Sequence, residues 1–255
     1  MTESGNDIEI VNRPSPNCGP RPDGAAIDTL VLHYTGMVGA DAALDRLCDE
    51  AAKVSAHYVI GEDGTVWQLV AESMRAWHAG VSSWRGESNV NDRSIGIELV
   101  NPGHEWGYRK FPDSQMRALI ALARGILSRH PVAPARIVGH SDIAPMRKQD
   151  PGELFDWQRL AAAGIGVWPN IAMLRPPAVG DGETGEALRL LARIGYATGE
   201  GDEDGAGSDG ALIAAFRAFQ RRFRPGRVDG ILDGETMVLL RAVAETVDPA
   251  GPQRA

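Results

Sequence analysis

The sequence has few cysteines, no long apolar run and no cluster of positive charge. Cys18 and Cys48 are its only cysteines, too few for a disulfide framework, and their spacing matches no metal motif. No apolar stretch is long enough to span a bilayer. The net charge of −8 and the lack of a Lys/Arg-rich run argue against a nucleic-acid partner and against an anionic membrane surface. These absences indicate a globular protein without a transmembrane segment.

Several catalytic signatures are also missing. The chain has no phosphate-binding glycine loop, no Gly-x-Ser-x-Gly and no Cys/His pair for covalent catalysis, and the zinc-peptidase motif His-Glu-x-x-His does not occur. The first fifteen residues lack the charged-then-apolar pattern of a secretory signal. We therefore expect a cytoplasmic protein, with the periplasm or cell envelope, reached by atypical export, as the alternative.

Proline and glycine divide the chain into four parts. Residues 1–24 are rich in Pro, Gly and Asn, which predicts an irregular leader. Pro176 and Pro177 with nearby glycines predict a linker over residues 173–182. Between leader and linker, residues 25–172 are long enough for a substantial core. Residues 183–248 remain as a small domain.

Apolar periodicity assigns most of the elements. It predicts strands at 27–33, 94–100 and 136–140, a hairpin of 57–60 with 65–70 around Asp63-Gly64, and helices at 41–53, with Asp41 as N-cap, at 113–129 and from Trp157. In the small domain, helical spacing recurs at 187–194, 211–223 and 236–247. The acidic, glycine-rich stretch 199–208 is predicted to be a loop.

One turn-rich stretch concentrates chemical groups. Within residues 139–152, His140, Lys148 and Asp150 follow a short apolar strand, and prolines prevent a long helix. A catalytic zinc takes three protein ligands, so a third ligand must come from elsewhere. His33 is the candidate because it ends the apolar run 27–32. Alone, a histidine at a strand end is more often a structural residue.

A carboxylate lies in a strand that alternates. In strand 94–100, Ile95, Ile97 and Leu99 share one face, and Glu98 lies on the other. A half-buried acid beside a metal suits a general base. A glutamate on a solvated sheet face is at least as good an explanation from this pattern alone.

Three segments together resemble the AmpD- and AmiD-like type 2 N-acetylmuramoyl-L-alanine amidases, a zinc-dependent family. They are residues 32–35, 91–99 and 139–152, in the family's order. The resemblance implies an α/β fold with a mixed central sheet flanked by helices. It also implies one Zn²⁺ per chain held by His33, His140 and Asp150, with Glu98 and Lys148 catalytic. The substrate would be peptidoglycan or a muropeptide, cut between the lactyl group and L-alanine during cell-wall turnover or recycling.

The same resemblance supplies candidates for substrate contact. These are Tyr34, His57, Trp77, His78 and Arg93. A structural role fits His57 better, since it stands at a strand start, and a core position beside a turn fits Trp77 equally well. The alternative function is a peptidoglycan-recognition protein without catalysis. Such proteins usually lack part of the metal set, whereas this sequence contains all of it, which favours an enzyme.

The small domain resembles the three-helix peptidoglycan-binding module. The match rests on Phe216, Phe219 and Phe223, followed by residues 228–233. All five proposed catalytic and ligand residues precede Pro151. The expectation is therefore that this domain acts only as a tether to the polymer.

Overall fold

A computed structural model describes residues 9–170, 183–198 and 208–248. The strands are β1 (Ile10–Asn12), β2 (Cys18–Pro20), β3 (Thr29–Tyr34), β4 (Tyr58–Ile60), β5 (Val66–Gln68), β6 (Met74–Ala76), β7 (Ser83–Trp84), β8 (Glu87–Ser88), β9 (Ser94–Leu99) and β10 (Ile137–Gly139). The helices are α1 (Ala40–Cys48), α2 (Gly103–Trp106), α3 (Asp113–Arg129), α4 (His140–Ile143), α5 (Trp157–Ala162), α6 (Glu183–Ile194), α7 (Ser208–Phe223) and α8 (Gly234–Val247).

The main sheet has the strand order β1-β5-β4-β9-β3-β10. Its neighbouring strands are parallel except for the antiparallel pair β4 and β5. A mixed central sheet with flanking helices is thus confirmed. The predicted hairpin is confirmed as well, although its strands are shorter than expected and residues 61–65 form the connection.

One face of the sheet packs on α3. Leu30 and Leu32 of β3 and the apolar side of β9 contact α3 through Met116, Leu119 and Ile126. The bounds predicted for this helix, 113–129, agree with the structure. Because side chains alternate along a strand, this packing leaves His33 and Glu98 on the opposite face.

Helix α1 covers part of that opposite face, where Leu44 and Leu47 pack with Val59 and Leu69. The prediction of its ends was wrong. Its N-cap is Gly39 at φ 88°, so Asp41 lies in the first turn, and the helix ends at Cys48 before a separate 3₁₀ turn. The start of the helix was mispredicted because apolar periodicity does not show that a glycine with positive φ precedes the first helical residue.

The leader is more regular than predicted. Residues 10–12 form β1, an edge strand parallel to β5, and residues 18–20 form β2, which pairs with β6. The prolines of this segment did not exclude strands because edge positions leave N–H groups unpaired and therefore tolerate proline. Residues 1–8 lie outside the described part of the chain.

The three predicted C-terminal helices are present as α6, α7 and α8. Phe216, Phe219 and Phe223 are buried, in a cluster that also contains Val31 of β3 and Val138 of β10. The helices thus share a hydrophobic core with the sheet. The predicted linker 173–182 and residues 199–207 of the acidic stretch lie outside the described residues.

Within the described ranges, no helix is both long enough and apolar enough to cross a membrane.

Candidate metal centre and active site

Three donor atoms meet at the carboxyl end of the central strands. His33 Nδ1, His140 Nδ1 and Asp150 Oδ2 lie 3.0 Å from one another. His33 is the penultimate residue of β3, His140 begins the short helix α4 after β10, and Asp150 follows in the loop. All three side chains are buried. Two imidazoles and one carboxylate are a donor set that suits a divalent metal with an open fourth position, and among the described residues this is the cluster able to hold an ion.

The outer hydrogen bonds direct the lone pairs of the imidazoles inward. His140 Nε2 lies 3.1 Å from the Ala79 carbonyl oxygen, which can only accept, so Nε2 carries the proton and Nδ1 is free to bind. His33 Nε2 lies 3.0 Å from His78 Nδ1, and His78 Nε2 lies 3.1 Å from Ser94 Oγ. With His33 bonded through Nδ1, its Nε2–H donates to His78, which then donates to Ser94.

The ring of His78 requires the glycine beneath it. A Cβ added to Gly96 would lie 2.5 Å from Cγ of His78, closer than real carbon contacts. Ser94 and Gly96 are therefore the positions of β9 that support His78, and Glu98 is the next position on the same face.

Burial and charge set the protonation of these groups. Burial and the neighbouring His140 lower the pKa of His33 to about 4, so its imidazole is neutral at physiological pH. Burial would raise the pKa of Asp150, but the adjoining His140 and His33 bring it below its ordinary value. Both groups are thus in the unprotonated form that binds a metal.

Glu98 has the opposite shift. Burial, and then the charge of Asp150, raise the pKa of Glu98 well above its ordinary value, while the Lys148 ammonium opposes that rise. Its Oε2 is buried and has no hydrogen-bond partner. A carboxyl group that is unpaired and readily protonated, beside a metal site, has the properties of a general base.

A cavity of about 480 Å³ opens onto the centre. His140, Asp150, Glu98 and Lys148 all line it. Two of the three metal ligands and both proposed catalytic side chains are therefore accessible to one substrate.

The family model for N-acetylmuramoyl-L-alanine amidases matches residues 23–153. The chain belongs to this amidase family. It is accordingly an amide hydrolase, and the sequence-based prediction of an enzyme is confirmed.

Two curated relatives differ in how much of this amidase they match. AmiD of Escherichia coli (strain K12) is 39% identical over 86% of this chain and 83% of its own length. The 1,6-anhydro-N-acetylmuramyl-L-alanine amidase AmpD of Salmonella typhimurium (strain SL1344) is 35% identical over 64% of this chain and 94% of its own. About a third of this amidase thus lies outside the match to that shorter relative.

A solved structure agrees with the fold. The complex of AmiD from E. coli with anhydro-N-acetylmuramic acid-L-Ala-D-gamma-Glu-L-Lys superposes with a TM-score of 0.74 at 39% identity. The match covers 88% of this chain and 92% of that chain.

Of the five candidates for substrate contact, three line the cavity of this amidase: Tyr34, Trp77 and His78. Tyr34 stays protonated because burial and the charge of Asp150 raise its pKa to about 12. His78 has a second role as the hydrogen-bond partner of His33.

The other two candidates, His57 and Arg93, are not among the residues that line the cavity, and their contact with substrate stays a prediction. His57 is fully buried, accepts from Gly96 N–H at 3.0 Å through Nδ1 and faces the Met74 carbonyl through Nε2. Arg93 pairs with Asp28 and with Glu87. Both side chains thus contact other parts of the fold.

The sequence reasoning missed several residues of the cavity wall. Arg46 of α1, His104 of α2 and Arg147 line it. Arg147 stands next to Lys148 in the chain and could have been included on that ground. Arg46 has the sequence context of any exposed helical arginine, so the sequence does not indicate that it lines the cavity.

Proposed function

We propose that this amidase holds one zinc ion with His33, His140 and Asp150 and hydrolyses the amide between the lactyl group of N-acetylmuramic acid and L-alanine. The observation that carries the proposal is the cluster of three donor atoms, two of whose residues, His140 and Asp150, line one cavity with Glu98 and Lys148. Zinc bound there would lower the pKa of a coordinated water towards neutrality and polarise the amide carbonyl.

The protein side chains supply the proton transfers. Glu98 removes a proton from the attacking water and returns it to the leaving amine, so that L-alanine departs as a neutral amine. The raised pKa of Glu98 helps the second step, because a carboxyl group that holds its proton well is present as an acid when the amine leaves. Lys148 lies in the wall of the same cavity and stabilises the negative charge that develops on the carbonyl oxygen.

The cavity suits a charged, peptide-bearing sugar. Arg46, Arg147 and Lys148 bring three cations to its wall, and a muropeptide stem carries carboxylates that guanidinium groups bind in a bidentate manner. Tyr34 and Trp77 add aromatic surface for the sugar or the peptide backbone. The proposed biological role is cell-wall turnover or recycling.

Residues 183–248 are proposed to contact peptidoglycan as well. The support is the packing of Phe216, Phe219 and Phe223, which follows the motif on which the resemblance rests. This contact would add to the amidase cavity on a polymeric substrate.

Product analysis tests the proposed reaction. Purified protein is incubated in parallel with intact sacculi and with anhydro-muropeptides, and the products are identified by mass spectrometry. We expect a muramyl sugar without peptide and a stem peptide with free N-terminal L-alanine. Cleavage within the stem peptide, or between the sugars, would contradict the proposal.

A further inference from the structure

A buried carboxylate two residues after the ligand His140 is bound by the C-terminal helices. Asp142 accepts three hydrogen bonds: from Gly139 N–H at 2.8 Å, from the Tyr196 hydroxyl at 2.6 Å and from Arg222 Nη1 at 2.9 Å. Its side chain is 1% exposed. A charge this deeply buried needs such partners, and two of the three lie beyond residue 182.

The bond from Gly139 N–H connects the Asp142 carboxylate to the metal centre. Gly139 immediately precedes His140, so the bond from its N–H to Asp142 closes the first turn of α4, which His140 begins. Ser141 N–H donates to the Asp150 carbonyl oxygen at 2.8 Å. The backbones of the two ligands are therefore joined through the segment that Asp142 holds.

Arg222 is directed specifically at this carboxylate. Its Nε and Nη2 are buried without a hydrogen-bond partner. Among the described residues, its guanidinium therefore hydrogen-bonds to Asp142 alone, through Nη1. The guanidinium lies 4.0 Å from the centre of the Trp157 ring. Trp157 in turn borders Gly139, where an added Cβ would lie 3.4 Å from the Trp157 ring. Arg222 thus fills the space behind the His140 segment.

Tyr196 approaches from the end of α6. Its ring packs edge-on against Trp84 of β7 at 5.0 Å and near Phe219 of α7 at 6.2 Å. These contacts hold the ring between the sheet domain and the helices, so that the hydroxyl points at Asp142.

We propose that Tyr196 and Arg222 are positioning residues for the metal centre. Through Asp142 they fix His140 relative to Asp150, so that the C-terminal helices contribute to metal retention as well as to any contact with the polymer. The proposal rests on the zinc site of the proposed function.

The test measures zinc affinity in the full-length chain by competition with a chromophoric chelator. Tyr196→Phe removes one hydroxyl and keeps the ring, and Arg222→Gln removes the cation. Arg224→Gln is the matched control because Arg224 is equally buried but pairs with Asp229 and Asp233, within the C-terminal region. Tyr58→Phe is the control for the hydroxyl, which donates to Glu72.

We expect zinc dissociation constants about tenfold higher for Tyr196→Phe and Arg222→Gln, at the lower end of the effect of removing groups that orient a ligand. Both controls should stay within about twofold of wild type. The absorption spectrum of the cobalt-substituted protein should shift for Tyr196→Phe and not for Tyr58→Phe. In an Asp142→Asn background, Tyr196→Phe should have a smaller effect, because the two residues act through one contact.

The outcomes distinguish the positioning role of Tyr196 and Arg222 from the proposed zinc-dependent function. Unchanged zinc affinity in Tyr196→Phe, or equal losses in Arg222→Gln and Arg224→Gln, would overturn the positioning role and leave the proposed function intact. A wild-type protein that binds no zinc would overturn the proposed function first, and the positioning role with it.

Discussion

His33 and Glu98 are paired positions on the adjacent parallel strands β3 and β9. Since residues in register on one face of a sheet point in the same direction, these two strands present a metal ligand and the proposed base side by side. The apolar neighbours of both residues pack on α3, which prevents a shift in register.

Glu98→Gln should abolish turnover and retain the metal. The amide occupies the same space but cannot take a proton, so kcat should fall by about 10²- to 10⁴-fold, the usual contribution of a general base. Zinc content, measured by elemental analysis, should equal that of wild type. Asp150→Ala should instead lose the zinc, because it removes a donor atom of the site. A kcat for Glu98→Gln within a few-fold of wild type would remove Glu98 from the mechanism.

As the pH is lowered, activity should fall before the metal is lost. Glu98 acts as a base only when deprotonated, and its pKa is raised by burial, so kcat/KM should fall with decreasing pH while the pH is still above the ordinary value for Glu. The pKa of His33 is lowered to about 4, so that ligand stays neutral through this range.

The check is to record zinc content and kcat/KM on the same samples across the acid range. Activity should disappear before zinc is lost. If the two fell together near pH 4, metal loss would explain the limb, and no separate titration of Glu98 would be needed.

The sequence predicted the parts of the site that lie in local motifs. His140, Lys148 and Asp150 fall within one dozen residues, and His33 and Glu98 end or interrupt apolar strands whose periodicity is plain. Helix α3 was predictable for the same reason: its buried stripe repeats at three- and four-residue intervals over seventeen residues.

Contacts between distant parts of the chain were not predictable. Asp142 meets Arg222 across 80 positions and Tyr196 across 54, and no local pattern specifies which arginine will find a buried carboxylate. His57 and His78 illustrate the same limit. Both lie near strands, yet His57 contacts the backbone of Gly96 and Met74 whereas His78 contacts His33, and the local sequence specifies neither set of partners.

His78→Phe should weaken zinc binding by about 10- to 100-fold, the range for losing the hydrogen-bond partner of a ligating imidazole. The variant keeps a ring over Gly96 but removes the atom that His33 Nε2 faces. His130→Gln is the control, since His130 pairs with Glu72 and has no contact with a ligand among the described residues. Zinc affinity of His78→Phe equal to that of the control would mean that His33 is oriented by packing alone.

Deleting residues 183–255 should impair hydrolysis of soluble muropeptides as well as of sacculi, contrary to the tether expected from the sequence. The deletion uncovers Val31, Val138 and Ile143, which pack with the C-terminal helices, and leaves the Asp142 carboxylate without Tyr196 and Arg222. Exposed apolar surface and an unpaired carboxylate should lower the melting temperature and promote aggregation. The test is to compare the rates of truncated and full-length protein on soluble muropeptides and on sacculi. If the truncated protein kept wild-type rates on soluble muropeptides and lost activity only on sacculi, the tether role expected from the sequence would be correct. The shared core would then add nothing to the active site.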